Sequence, residues 1–253
     1  AVPVGYKFGW IPEHNLKHSD EVGTNKGNWD HKRDGSIRSG LKLTRSISIN
    51  LNYSQNLSTN RSTSGLEQIS VQRDYLAYGK YLDQGSPLPG WSFRISGLEK
   101  LPVISWLAKN ASLEHSYSGK ENRSWQFENI QARKIDPLNF DSFIEEYKEN
   151  ERSARISRNF SPLVGINMTL KKNISITFRH NRNKTLDETP AGITLREDNS
   201  YTSTGTYSHR GGITLPIPYY GDVKFNNTMS FTMNFDLNDS REFRSGDKID
   251  FEE

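Results

Sequence analysis

The stretch DVKFNNTMSFTMNFDLND, residues 222–239, decides the fold. From Val223 to Leu237 the odd positions are apolar: Val223, Phe225, Met229, Phe231, Met233, Phe235 and Leu237, with Asn227 the exception. The even positions, Lys224, Asn226, Thr228, Ser230, Thr232, Asn234 and Asp236, are all polar. Side chains on an extended strand alternate between two faces, so the pattern predicts one long strand with two chemically opposite sides. Strands of soluble proteins run about five to six residues. Crossing the hydrocarbon of a bilayer at a tilt near 45° takes about 9–11.

The totals agree with a thin, two-faced architecture. Of 253 residues only 33% are hydrophobic, against 25% charged, and mean hydropathy is −0.79. A compact enzyme has to fill a core on both sides of most elements, and this composition is poor for that. The 11% aromatic content and the regular alternation argue against disorder. There is no cysteine, which excludes a disulfide framework and a thiolate metal site. The net charge of +3 is spread along the chain with no dense basic run, so nucleic acid is not an expected partner. No apolar run reaches the length of a membrane helix, a fact that leaves a transmembrane β-barrel open. No secretion signal precedes Ala1, so the expectation is a mature form or a piece of something longer.

A repeat organises the chain. LKLTRSISINLNYSQN (41–56) and MTLKKNISITFRHNRN (168–183) share apolar-x-Leu, three polar residues, then Ile-Ser-Ile with alternation onward. LAKNASLEHSYSGKEN (107–122) is a third copy, and the starts Ile47, Ala111 and Ile174 lie 64 and 63 residues apart. The first and last copies read as hairpins with tight turns at Thr44, Arg45, Ser46 and at Lys171, Lys172, Asn173. In the middle copy, Ala108-Lys109-Asn110 takes the turn place, and Leu98, Leu101, Ile104 and Leu107 predict a short helix interrupted near Pro102. Long connections are expected at 11–35, 59–88 and 123–159, the last with a helix in DSFIEEYKENERS (141–153) that puts Phe143, Ile144 and Tyr147 on one side. Strands are expected at 3–10, 36–43, 47–58, 89–97, 111–121, 160–170, 174–185, 199–209 and 223–239. The link 210–222, with its prolines, should not pair.

The expected fold is therefore all-β: an antiparallel meander of long hairpins, about nine strands, with short helices in the connections and no separable domain within 1–253. Strand length, the alternation of tight turns with long loops, and a polar face of Ser, Thr, Asn and Lys favour a slice of a large transmembrane β-barrel over a soluble sandwich. Phe225, Met229, Phe231, Met233 and Phe235 are the expected lipid-facing residues, with Lys224, Thr228, Ser230, Thr232 and Asn234 toward a watery lumen. Tyr219, Tyr220, Trp10, Trp91, Trp106 and Trp125 fit interfacial girdles or ordinary core and loop positions equally well. Nine strands with the tight turns on one side give an odd count, whereas a complete bacterial barrel has an even one.

No catalytic constellation is found. The histidines are His14, His18, His31, His115, His180 and His209. His14 and His18 sit in a loop-like segment unsuited to a metal, and no phosphate loop, nucleophile elbow or dinucleotide fingerprint is present. The expectation is no enzyme, no cofactor and no metal.

Two longer stretches carry a resemblance. PLPGWSFRISGLEKLPVISWLAKNASLEHSYSG (87–119) resembles the SprA family, in which a Trp-containing strand leads into Gly-Leu-x-Lys-[LI]-Pro and then an x-x-Leu-x-His-x-Tyr strand. FSPLVGINMTLKKNISITFRHNRNKTL (160–186) resembles the same family's Phe-x-Pro-Leu-[LIV]-Gly hairpin, and 193–208 and 36–58 match more loosely. The likeness covers about two-thirds of the chain and fades over 1–35 and 59–86. It implies a segment of the type IX secretion translocon, linked to gliding motility and export of cell-surface adhesins. That channel lies in the bacterial outer membrane, exporting folded proteins with accessory secretion-system proteins. Its partners would be outer-membrane lipid, secreted cargo and those accessory proteins. The alternatives are a smaller outer-membrane barrel for solute uptake and a soluble β-rich binding module on the cell surface.

Overall fold

A computed structural model describes residues 29–61, 66–82, 84–128, 140–209, 213–225 and 229–245. The strands are β1 (Trp29–Lys42), β2 (Ile47–Arg61), β3 (Glu67–Asp74), β4 (Leu76–Tyr78), β5 (Gln84–Ser86), β6 (Gly90–Ser96), β7 (Ala108–Phe127), β8 (Glu151–Leu170), β9 (Ile174–Thr189), β10 (Gly192–His209), β11 (Ile213–Ile217), β12 (Gly221–Phe225) and β13 (Met229–Ser245). Two short helices join them, α1 (Pro102–Ser105) and α2 (Phe140–Glu146). The fold is all-β, as expected. Nine strands form one antiparallel sheet in the order β1-β2-β3-β7-β8-β9-β10-β13, with β6 between β2 and β7. Because β3 and β6 share one place in that order, nine strands fill eight positions. Neither β1 nor β13 has a second neighbour among the described residues, so the sheet has two long open edges.

The shared position is a strand with an excursion at half height. β3 pairs with β2 as far as Arg73 and with β7 as far as Asp74, the chain leaves, and β6 resumes the pairings, with β2 from Gly90 and with β7 from Trp91. Backbone groups freed by this departure are bonded again locally. The Ser54 N–H donates to the Asp74 carboxylate at 2.6 Å, and the Tyr75 N–H donates to the Gly119 carbonyl at 3.0 Å. The Tyr117 hydroxyl donates to the Tyr75 carbonyl at 2.9 Å and accepts from the Ala77 N–H at 3.2 Å, fixing the start of the excursion to β7. The excursion, with the β4–β5 hairpin, folds back on one face of the sheet, where Tyr75, Ala77 and Leu82 pack on Ile156, Leu186 and Leu195. On the same face α2 lays Phe140 and Phe143 over Leu57, Ile69, Val71, Trp125 and Phe127.

Several expectations are corrected. The segment 223–239 is not one strand: β12 pairs with β11 in a separate two-stranded sheet, and the main-sheet strand begins at Met229. The left-handed backbone at Tyr219 (φ 74°) and Gly221 (φ 75°) turns the chain back on itself before β12. Pro216 is accommodated within β11, opposite Asp222, because this small sheet has only edge strands. The connection 59–88 contains β3, and the edges of 11–35 and 123–159 belong to β1, β7 and β8. The strands at 36–43, 111–121, 160–170 and 199–209 all begin earlier or end later than expected. The helix in 141–153 stops at Glu146, and Glu151 already opens β8, although Phe143, Ile144 and Tyr147 do share its packed side. Short and long connections do not segregate by edge. The β9–β10 turn at 190–191 lies on the same edge as the 128–150 connection, and the 210–228 link lies on the edge of the tight turns. The expected strand 3–10, the His14–His18 pair and Trp10 lie outside the described residues.

Gly119 tests the excursion. A Cβ there would lie 2.0 Å from the Tyr75 carbonyl oxygen and 2.2 Å from the Tyr117 hydroxyl. Gly119→Ala is expected to displace the excursion while leaving the long ladders intact. The measurement is trypsin cleavage at the exposed Lys80: faster nicking in the variant with unchanged strand content by circular dichroism. Equal nicking would mean that the excursion does not depend on this contact.

Candidate lipid-facing surface

Directly paired residues of an antiparallel sheet point the same way, so the register assigns every side chain to a face. One face carries an apolar band next to the tight-turn edge. One row across it reads Ile47, Ile95, Leu113, Ile166, Phe178, Ser203, Phe235. A second runs Ala111, Met168, Ile176, Gly205, Met233, and Leu41, Ile49 and Phe93 extend the band toward β1. The two buried clusters contain none of these residues. At the β13 edge they lie open, with Phe231 at 54%, Met233 at 75% and Phe235 at 56% exposure. Of the expected lipid-facing set, Met229, Phe231, Met233 and Phe235 thus share this face. Phe225 does not join them, because it belongs to β12 and the other sheet.

The opposite face is polar along the regular ladders. On β13 it carries Ser230, Thr232, Asn234 and Asp236, on β10 Thr202, Thr204 and Thr206, and on β2 Ser48, Asn50 and Asn52. Arg94 of β6 and Arg179 of β9 both reach Glu114 of β7, at 3.6 and 3.7 Å. Gly165 of β8 stands between Glu114 and Arg179 in the register, and its missing side chain leaves room for that reach.

An aromatic row marks the far limit of the band. Trp91 stacks on Tyr117 at 4.4 Å, Tyr117 meets Phe160 at 5.1 Å, and His180 stacks on Tyr201 at 4.2 Å. Beyond it the same face carries ion pairs beside the two buried clusters. Arg73 is almost fully buried between Glu121 (2.6 Å) and Asp141 of α2 (2.7 Å), and Arg123 bridges Glu121 (2.7 Å) to Glu151 (2.8 Å). Burial, reinforced by the Glu121 carboxylate, pushes the neighbouring Tyr75 phenol up to about 12, so it stays neutral as a packing group. The β13 part of the band, Met229–Leu237, is nine residues, about 30 Å along the strand and about 21–23 Å high at a 40–45° tilt. That approaches the roughly 25 Å apolar band of outer-membrane barrels.

The turn residues lie where expected for two copies of the repeat. The Thr44 hydroxyl accepts from the Ser46 and Ile47 N–H groups at 3.2 and 3.1 Å, with Arg45 between. Asn173 takes the left-handed conformation (φ 57°) after Lys171 and Lys172. The middle copy differs: Ala108–Asn110 already belongs to β7, and a 3-10 turn at Leu98–Lys100 with α1 makes the reversal. Lys109 still lies at this edge, its ammonium 3.4 Å from the Asn173 side chain. Of the girdle candidates, Trp91 joins the aromatic row and Trp106 lies exposed at the tight-turn edge, whereas Trp125 is buried under α2. Tyr219 and Tyr220 are exposed on the β11–β12 turn. Tyr117, Phe160 and Tyr201 complete the row unforeseen; Tyr53, Tyr117 and His180 occupy one aligned place in the repeat, which was the available signal. Among the described residues no cluster of His, Asp and Glu could hold a metal ion.

Met233 sits mid-band on β13. Met233→Arg is expected to cost about 2–4 kcal/mol of membrane-folded stability, and Thr232→Arg on the opposite face far less. Urea titration of each variant folded into vesicles measures both, and equal costs would reverse the facial assignment.

No family model matches the chain, and no curated protein matches it.

Proposed function

We propose that this chain is part of the wall of an outer-membrane channel that conducts folded proteins, as in type IX secretion. The observation that carries the reading is the uncovered apolar band on one face of a sheet whose other face is polar. In water such a band would leave many large apolar side chains unburied across eight strand positions. Against lipid it is the required surface, and the polar face then lines water. The open edges at β1 and β13 support a larger wall, since a bilayer tolerates only closed barrels. A barrel's diameter grows about linearly with strand number, so a lumen for folded proteins needs many more strands than these. The resemblance at 87–119 and 160–186 favours protein export over solute uptake.

Two experiments test the reading. Single cysteines at Arg45 and Lys172 occupy one edge of the sheet, and those at Ser142 and Ala191 the other. An impermeant thiol reagent on intact cells is expected to label one pair and to reach the other only after the outer membrane is opened. Equal labelling would support the soluble cell-surface module instead. Deleting the gene is expected to trap folded cargo in the periplasm with small-solute uptake unchanged; loss of one nutrient's uptake with normal secretion would favour the solute barrel.

A further inference from the structure

We infer that Arg158 and Arg182 form a clamp for the phosphate of an anionic lipid at the rim of the apolar band. Register places Arg158 opposite Lys184 and Phe160 opposite Arg182, so the two arginines are diagonal neighbours on the banded face. Their charges act on each other. Four cations of the sheet gather here, Arg158, Arg182, Lys184 and Arg241. Two of them are matched: Lys184 pairs with Glu197, and Arg241 with Asp239. Among the described residues neither Arg158 nor Arg182 meets a carboxylate within salt-bridge distance or donates a side-chain hydrogen bond. Two adjacent guanidiniums are thus left with open donors, Arg158 half-buried beside the excursion and Arg182 exposed.

The position selects the ligand. Toward the tight-turn edge, Phe160 and the His180–Tyr201 stack begin the apolar surface. Away from it the face carries Lys184, Glu197 and Arg241, and its apolar Ile156, Leu186 and Leu195 are covered by the excursion. A ligand bridging the two zones needs an anionic head and long apolar chains. A guanidinium is planar and forked, suited to phosphate oxygens. A phosphomonoester headgroup offers more charge and more free oxygens than a choline phosphodiester, so the clamp should prefer it. The site belongs to the leaflet nearer the 128–150 edge. This inference rests on the banded face meeting lipid.

The test uses the protein reconstituted in phosphatidylcholine vesicles, with spin-labelled phosphatidic acid or spin-labelled phosphatidylcholine as probe. Electron spin resonance reads the motionally restricted fraction of each. A restricted fraction of phosphatidylcholine reports lipid against the wall in general; its absence would overturn the membrane reading and this inference with it. Given that fraction, phosphatidic acid is expected to associate preferentially. Each arginine removed should weaken that preference about fivefold, for exposed Arg182→Gln and for the double variant Arg158→Gln/Arg182→Gln. High salt should weaken it too. Equal association of both probes with the unaltered protein, or an unchanged preference in Arg182→Gln, would overturn the clamp while leaving the membrane reading intact.

Discussion

A regular β-strand cannot move its odd residues to the other face without an irregularity in the ladder. β9, β10 and β13 run 16 to 18 residues with unbroken register to one another, so each carries one face through two environments. Their apolar half covers about the height of a bilayer's hydrocarbon, and their other half continues beyond it. The banded face therefore changes from Phe178, Ile176 and Met233 to Lys184, Glu197 and Arg241 along the same strands. The polar face needs no such change, because water can meet it from end to end.

The ionic half is held differently. Buried ion pairs lose hydration that their attraction only partly restores, and they persist where each charge has several partners. Arg73 and Glu121 meet that condition through Asp141, Arg123 and Glu151. The network joins β3, β7, β8 and α2, and the guanidinium of Arg73 also lies over the Tyr75 and Phe140 rings. Such a set specifies register and the seat of α2 more than it adds stability.

The sequence made the apolar half readable and hid the ionic half for the same reason. Where one face is apolar and the other polar, hydropathy alternates, and Ile47–Leu51, Ile174–Phe178 and Phe231–Leu237 announce themselves. Beyond the band the packed face mixes apolar residues with charges, and the alternation of hydropathy is broken. The missed ends of β7, β8 and β10 carry Arg123, Arg158 and Glu197, and β3 carries Glu67 and Arg73 on its packed face. The period-two reading also ran too far in 223–237: alternation is common to both sheets and does not reveal that β12 folds back on β11 through the turn at Tyr219 and Gly221. The helical spacing in 97–107 was legible, because Pro102 and the apolar Leu98, Leu101 and Ile104 have no strand reading. The aromatic row was only partly so, since Tyr117, Phe160 and Tyr201 converge from strands far apart in the chain.

In the proposed channel wall, the half-height excursion between Asp74 and Gly90 would have a consequence for permeability. Ordinarily a wall of paired strands is sealed by its ladders, and a chain leaving midway would open a leak. Here β2 and β7 stay bridged above and below, and Asp74, Tyr75 and Tyr117 close the seam with bonds to backbone. In the proposed channel wall, tightness would depend on those few bonds and not on what the excursion contains. Such a sheet could accept a longer or differently shaped insert at this point and keep its ladders closed on both sides.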